Sequence, residues 1–252
     1  MTANFEKRTA SIQNSFDIFS GQWCSDVPIY GGGNAQLFFD ARIRLFDEAI
    51  GGFAGKKVLE LGPLEAGHTY AMTLFGASEI VAVEANRDAF LRCLVVKEAF
   101  NLNARFLCGD FERYMGNKPP KVDVVLASGV LYHMKDPLSL IESICNTAEQ
   151  ACFWTHYYDK ELIDNNEHLR PKFAPPETLR FKGRTILASK QSYLTDIERT
   201  DFAGGMEGYS YWLSLEGLSE AFEALGFKMT IHDMQRDHPH GAGVTFTVKR
   251  CK

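Results

Sequence analysis

The stretch VLELGPLEAGHT (58–69) passes from an apolar run into a glycine turn and then into a segment with helical spacing. That is the sequence form of a strand, a nucleotide-binding turn and a helix. Its composition departs from the usual form in two ways. Glu60 and Glu65 put negative charge where such turns avoid it, and Leu64 stands where a second glycine is expected.

Outward from this stretch, short apolar runs alternate with helical segments. The runs are KVLEL (57–61), EIVAVE (79–84), ARFLC (104–108), VDVVLAS (122–128) and ACFWTH (151–156). Between them lie 67–76, NRDAFLRCLVVKEAF (86–100) and PLSLIESICNTA (137–148), the last with a proline suited to a first helical turn. The series predicts an α/β fold with a doubly wound, mostly parallel sheet. Near the end, SLEGLSEAFEAL (214–225) reads as a helix stopped by Gly226, followed by FKMTIHDM, the turn QRDHPHGA and GVTFTVKR as a terminal antiparallel hairpin. The strand FKMTIHDM is expected to run parallel to its neighbours, which puts its following turn on the ligand face. Two segments fall outside the core: residues 1–50, a helical extension containing QLFFDARIRLFDEAI, and the connection 157–213. A connection that long is usually functional, so it reads as a lid or substrate-binding insertion, with a small hairpin around Lys182-Gly183.

The 252 residues are 45% hydrophobic and 23% charged, enough to build a sizeable core. A net charge of -5 offers no footprint for nucleic acid or an anionic membrane and points to a small-molecule partner. Six scattered cysteines lack the spacing of a zinc site or redox dithiol, and no apolar window approaches a membrane span, so a reduced cytoplasmic setting is expected.

Ligands of open parallel sheets bind beyond the carboxyl ends of the strands. Gly62, Glu84, Asp110-Phe111 and Ser128-Gly129 occupy those ends in succession. Taken singly, each acid reads equally well as a helix cap; four positions in register point to a site. A pyrophosphate needs glycines for close approach and positive potential at the helix start. Gly62-Pro63-Leu64-Glu65-Ala66-Gly67 misses that spacing and adds a carboxylate, which argues against NAD, FAD and ATP. S-adenosylmethionine has no phosphate and carries a sulfonium and an ammonium, so Glu60 and Glu65 suit its charge.

VLELGP, VAVEAN, CGDFERY and VDVVLASGVLYH, in this order and at about twenty-residue intervals, resemble the successive motifs of class I S-adenosylmethionine-dependent methyltransferases. The resemblance covers roughly residues 56–156 and implies the Rossmann-like methyltransferase fold, with a seven-stranded sheet and residues 51–252 as the methyltransferase domain. It implies Gly62 as the turn glycine beside the methionine moiety, Glu84 as the ribose-binding acid, Asp110 and Phe111 at the adenine, and Ser128-Gly129 as backbone facing the cofactor. Glu60, Pro63, Leu64 and Ala85 complete the implied cofactor set. Leu64 and Ala66 depart from the family's glycines.

Methyl transfer makes its demands on the acceptor, which must be held close to the methyl carbon and, if a hydroxyl, lose a proton to a nearby base. No NPPY-like sequence follows the fourth strand, and no cysteine is placed as a cytosine-type nucleophile, so attack by a hydroxyl, an amine or a carbon remains. Histidine is the natural base near neutral pH, and His133, His156 and His238 are the candidates. His68 lies nearer the cofactor turn. His156, Asp159, His238 and His240 offer a weaker alternative as a divalent-metal set, and no metal is expected. Tyr132, Trp154, Tyr157 and Tyr211 are candidate substrate contacts, and Tyr158, Tyr209 and Trp212 gather on the same face, although such residues more often pack a lid onto a core. Trp23 and Tyr30 are placed to close over the cofactor.

GVLYHMKDPLSLIESI also resembles the matching segment of the enzymes that modify tRNA wobble uridine with carboxy-S-adenosylmethionine. An acidic, short chain suits a small-molecule acceptor, a metabolite or sugar hydroxyl, better than RNA. A non-catalytic cofactor-binding protein and a nicotinamide-dependent oxidoreductase are the remaining alternatives.

Overall fold

A computed structural model describes residues 5–193 and 207–251. In chain order the elements are α1 (Ile12–Asp17), β1 (Asp26–Val27), β2 (Gly31–Gly32), α2 (Ala41–Ile50), β3 (Lys57–Leu61), α3 (Gly67–Leu74), β4 (Glu79–Glu84), α4 (Arg87–Phe100), β5 (Ala104–Cys108) and α5 (Phe111–Gly116). They continue as β6 (Val122–Ser128), α6 (Pro137–Thr147), β7 (Ala148–His156), α7 (Lys160–Asp164), β8 (Glu177–Phe181), β9 (Arg184–Ser192), β10 (Tyr209–Leu213), α8 (Leu215–Glu223), β11 (Phe227–Gln235) and β12 (Gly243–Arg250).

The seven-stranded sheet has the order β11-β12-β7-β6-β3-β4-β5, and this is the Rossmann-like methyltransferase fold. From β7 to β5 every pairing is parallel. The apolar runs form its centre because both faces of these strands are covered. Alternate residues go to opposite layers: Leu59, Leu61, Val125 and Ala127 pack with α5, α6 and α8, whereas Val58, Val124 and Leu126 pack with α2, α3 and α4. Side-chain caps set the helix starts, Asn86 on α4 and Asp136 ahead of Pro137 on α6. One expectation is corrected. The strand 227–235 does not lie among parallel neighbours; it is the sheet edge and pairs antiparallel with β12, which is itself antiparallel to β7. Two reversals return β11 to the direction of the parallel strands, so the turn after it still reaches the ligand face.

Residues of the N-terminal extension are built into the core. Phe16, Trp23, Phe38, Ile43 and Phe46 belong to the same buried layer as Val58 and Met72. The link is Glu65. Its carboxylate is fully buried and accepts from Cys24 N at 2.9 Å and Ser25 N at 2.8 Å, while Arg92 Nε of α4 lies 2.9 Å away. Close backbone approach completes the join: a Cβ on Gly67 would stand 2.7 Å from Leu37 Cβ, and one on Gly33 2.1 Å from Cys24 O. Trp23 and Tyr30, expected over the cofactor, pack instead on Phe16 within this layer.

In the 157–213 connection, β10-β9-β8 form a three-stranded antiparallel sheet. Lys182 and Gly183 form the two-residue turn between β8 and β9, both with positive φ (46° and 81°), as the twist of a tight hairpin requires. Tyr211 N donates to Met134 O at 2.9 Å and ties this sheet to the loop after β6. No helix among the described residues is long and apolar enough to cross a membrane.

Removing one partner of a buried ion pair leaves the other charge uncompensated. Glu65→Ala is therefore expected to lower unfolding free energy by about 3–5 kcal/mol in chemical denaturation; a change below about 1 kcal/mol, the size of a surface pair, would contradict the clamp.

Candidate active site

The carboxyl ends of β3 and β4 meet at the turn 62–66. Gly62, Leu64 and Ala66 all have positive φ, at 64°, 52° and 61°. The backbone thus follows a glycine-like path without the glycines, at a cost of roughly 1–2 kcal/mol for each substituted position. Glu84 holds the path: its Oε2 accepts from Leu64 N at 3.0 Å, and its Oε1 from Asn86 N at 2.8 Å. Burial raises the Glu84 pKa above the ordinary carboxylate value, against the opposing backbone N–H groups of Asn86, Leu64 and Ala85.

Glu60 lies beneath the same turn at 1% exposure. Thr69 Oγ1 donates to its Oε2, and Oε1 has no partner among the described residues. Burial, with the charge of Glu84 added, pushes its pKa up to about 8. Glu65 behaves differently from expectation. Both its oxygens are committed to the N-terminal backbone and Arg92, so its charge faces neither a phosphate nor a cationic ligand. What separates this turn from a pyrophosphate loop is Leu64 and the missing glycine spacing.

Pro63 is buried in the turn, and Ala85 follows Glu84 directly. Asp110 caps α5, accepting from Glu112 N at 2.8 Å and Arg113 N at 3.3 Å, while Phe111 is buried in the layer under the sheet. After β6, Gly129 has φ 83° and Ser128 Oγ is buried without a partner among the described residues. A Cβ on Gly129 would approach Tyr132 Oη at 3.9 Å, which joins this end of the sheet to the cavity beside it.

That cavity, of ≈860 Å3, is lined by Asp40 and Arg42, by Tyr132 and His133, by Trp154 and His156, by Trp212, and by His238 with Gln235 and Thr245. The three histidines thus face one space. His156 is 5% exposed and stacks on Trp212 with centroids 4.9 Å apart. Its Nδ1 lies 3.2 Å from Ala242 O, and a carbonyl only accepts, so Nδ1 carries the proton and Nε2 the lone pair. Burial, with His238 beside it, pushes its pKa down to about 3. His238 has the opposite tautomer: its Nδ1 accepts from His240 N at 3.2 Å, leaving N–H at Nε2. His133 Nδ1 is 2.6 Å from Tyr193 Oη, and burial pushes that phenol up to about 12.

Several expected contacts lie elsewhere. Tyr157 is buried in the core layer with α8, and Tyr211 turns away to donate to Glu177 Oε1 at 2.8 Å; neither lines the cavity. Strand alternation puts Trp212 there in place of Tyr211. The alternative metal set does not assemble: Asp159 caps α7 and pairs with Arg236 at 3.0 Å, and no group of three metal-ligating side chains exists among the described residues.

Asp40 and Arg42 were not legible as site residues, and His68, placed by sequence only near the cofactor turn, meets Asp40. Asp40 Oδ2 lies 2.8 Å from His68 Nε2, and Arg42 Nε donates to the same carboxylate at 2.8 Å. Burial pushes Asp40 up, but His68 and Arg42 outweigh it and hold the carboxyl well below its usual range. The Arg42 guanidinium sits over the Trp154 ring at 4.7 Å from its centroid.

No family model and no curated protein sequence matches the chain. Solved structures do. The N-terminal domain of EvdMO1, crystallised in the presence of SAH and D-fucose, is 22% identical with a TM-score of 0.73, over 96% of this chain and 95% of that one. Against the EvdMO1 chain of a further crystal structure, the match covers 95% of this chain and 47% of that one, at 21% identity and a TM-score of 0.65. Magnesium protoporphyrin IX methyltransferase from Synechocystis PCC 6803, with bound SAH, is 13% identical over 88% of this chain and 91% of that one, with a TM-score of 0.54. At these identities the likeness establishes the fold.

Glu60 supplies a pH test. A carboxyl whose folded pKa lies above its unfolded value of 4.5 contributes stability that is complete below about 4.5 and is lost as pH rises through about 8. Glu60→Gln lacks this titration, so its stability relative to the unsubstituted protein should rise between pH 5 and pH 8 in paired thermal melts. A difference independent of pH would mean that Glu60 is ionised throughout.

Proposed function

We propose that the protein is an S-adenosylmethionine-dependent methyltransferase acting on a hydroxyl of a small molecule, a metabolite or sugar. The observation that carries this reading is the pairing of a buried acidic turn, Glu60 and Glu84 around Gly62, with a neighbouring cavity lined by His156, whose Nε2 has no hydrogen-bond partner among the described residues. The fold shared with the SAH-bound structures supports it.

The residues present fit the cofactor's chemistry. Glu60 Oε1, without a partner among the described residues, suits an ammonium, whose charge would favour the ionised carboxyl, and the Glu84 carboxylate, accepting from Leu64 N and Asn86 N, has acceptor capacity left for a pair of ribose hydroxyls. Gly62 and Gly129, both left-handed, keep the backbone open, with Pro63, Leu64 and Ala85 shaping the turn; Ser128 Oγ adds an unpartnered hydroxyl. Asp110 and Phe111 are assigned to the adenine end. When bound, S-adenosylmethionine supplies an electrophilic methyl group on a sulfonium whose departing thioether is neutral, so no general acid is required.

His156 Nε2 would take the proton that the acceptor hydroxyl gives up on methylation. A histidine with a pKa of about 3 is a weak base, but it is unprotonated throughout the neutral range. The proton leaves late, when bond formation has made the oxygen strongly acidic, and a weak base then suffices. His238, with N–H toward the cavity, and His133 with Tyr193 orient the acceptor. Tyr132, Trp154 and Trp212 form its aromatic walls, and the β8–β10 insertion serves as the lid. An aromatic-lined cavity of this size on an acidic chain suits a small molecule better than tRNA.

Incubation with methyl-labelled S-adenosylmethionine and a panel of hydroxylated metabolites, sugars and tRNA should give label in a small molecule. Transfer to tRNA alone would overturn the acceptor class, and cofactor binding with no transfer to any member would favour a non-catalytic binder. Glu84→Ala should weaken S-adenosylmethionine binding by about 1–3 kcal/mol, the scale of lost charged hydrogen bonds. His156→Ala should lower kcat by about 10²–10⁴-fold with cofactor affinity retained; an unchanged kcat would remove it as the base.

A further inference from the structure

Thr245 carries a hydroxyl that the fold leaves unanswered. The residue is 1% exposed, its Oγ1 has no hydrogen-bond partner among the described residues, and it lines the cavity. Buried polar groups are nearly always bonded, so such a group on a residue that lines a cavity marks where a ligand can supply the missing bond. Its neighbours are polar too. In register, Thr245 of β12 stands between Trp154 of β7 and Asp233 of β11, and all three line the same space. Trp154 Nε1 donates to Gln235 Oε1 at 3.4 Å, and Gln235 Nε2 to Asp233 Oδ2 at 3.1 Å.

Topology separates this strip from the cofactor turn. The cofactor turn lies at β3 and β4, whereas Asp233, Gln235 and Thr245 lie on β11 and β12, beyond β6 and β7. Size argues the same way. A cavity of ≈860 Å3 that excludes the cofactor turn lies near the top of the roughly 300–1,000 Å3 range of small-molecule pockets, with room for more than one sugar-sized ring. Charge bears on the chemistry: Asp233 puts a carboxylate on the strip, Arg42 is committed to Asp40, and Lys172, which also lines the cavity, lies outside the strip, so a neutral group suits the strip better than an anion. A hydroxyl, an amide and a carboxylate side by side offer the mixed donors and acceptors that neutral hydroxyl groups satisfy.

We propose that Thr245, Gln235 and Asp233 form a second acceptor subsite, which binds an uncharged, hydroxyl-bearing ring attached to the unit that is methylated. The acceptor is then a glycoside or oligosaccharide of at least two rings. This rests on the methyl-transfer reading above.

The test uses the full chain, loaded with SAH, on an array of mono- to tetrasaccharides, with retained glycans titrated by calorimetry. Retained glycans should contain two or more rings. Thr245→Val should weaken their binding about tenfold, the loss of one good hydrogen bond, and leave SAH affinity unchanged. It should also raise the thermal midpoint, because it removes an unsatisfied hydroxyl; a variant that is better folded but binds worse separates recognition from structure. Retention of monosaccharides only, retention of no glycan by a chain that binds SAH, or unchanged glycan affinity in Thr245→Val would each overturn the subsite. Failure of the chain to bind SAH would instead overturn the cofactor reading beneath it.

Discussion

The buried carboxylate of Glu65 is the constraint on which the rest of the site depends. By accepting from Cys24 N and Ser25 N while paired with Arg92, it fastens the N-terminal extension to the turn between β3 and α3 and to α4 behind it. The segment running on from that clamp carries Asp40 and Arg42, which form one wall of the cavity, and Asp40 meets His68 on α3. A charge in this position is costly unless compensated, and here it has two backbone hydrogen bonds and an ion pair. The extension is therefore part of the site's architecture.

Around this clamp the sheet divides its work. The β3–β4 end holds two further carboxylates whose environments differ: Glu84 accepts two backbone N–H groups, whereas Glu60 has one hydroxyl partner and one unpartnered oxygen. The β7–β12–β11 half holds the aromatic and histidine-lined cavity. Carboxylates thus gather on one side and aromatic and histidine side chains on the other, a division compatible with the proposed methyl transfer.

The strands and helices were legible because central parallel strands are apolar on both faces and the caps are local: Asn86, Asp136 and Ser214 each stand beside the helix they start. The site was legible where its residues follow strand ends, since topology alone gathers those. It was not legible where partners are distant or parity decides. Nothing near Glu65 shows that its partners lie forty residues earlier, so its charge was read toward the ligand. Asp40 and His68 are 28 residues apart and meet only through the folded extension. Tyr211 and Trp212 exchange roles because one step along a strand reverses the face. Thr245, an ordinary strand residue in sequence, becomes informative only when its hydroxyl is found without a partner among the described residues.

The central claim is that this turn accepts a cationic, phosphate-free cofactor in place of a dinucleotide. Titration calorimetry of the full chain with S-adenosylmethionine, SAH and NAD tests it most directly. The account predicts saturable one-to-one binding of the first two and none of NAD. Binding of NAD, or no binding of either sulfur compound by the folded protein, would contradict it.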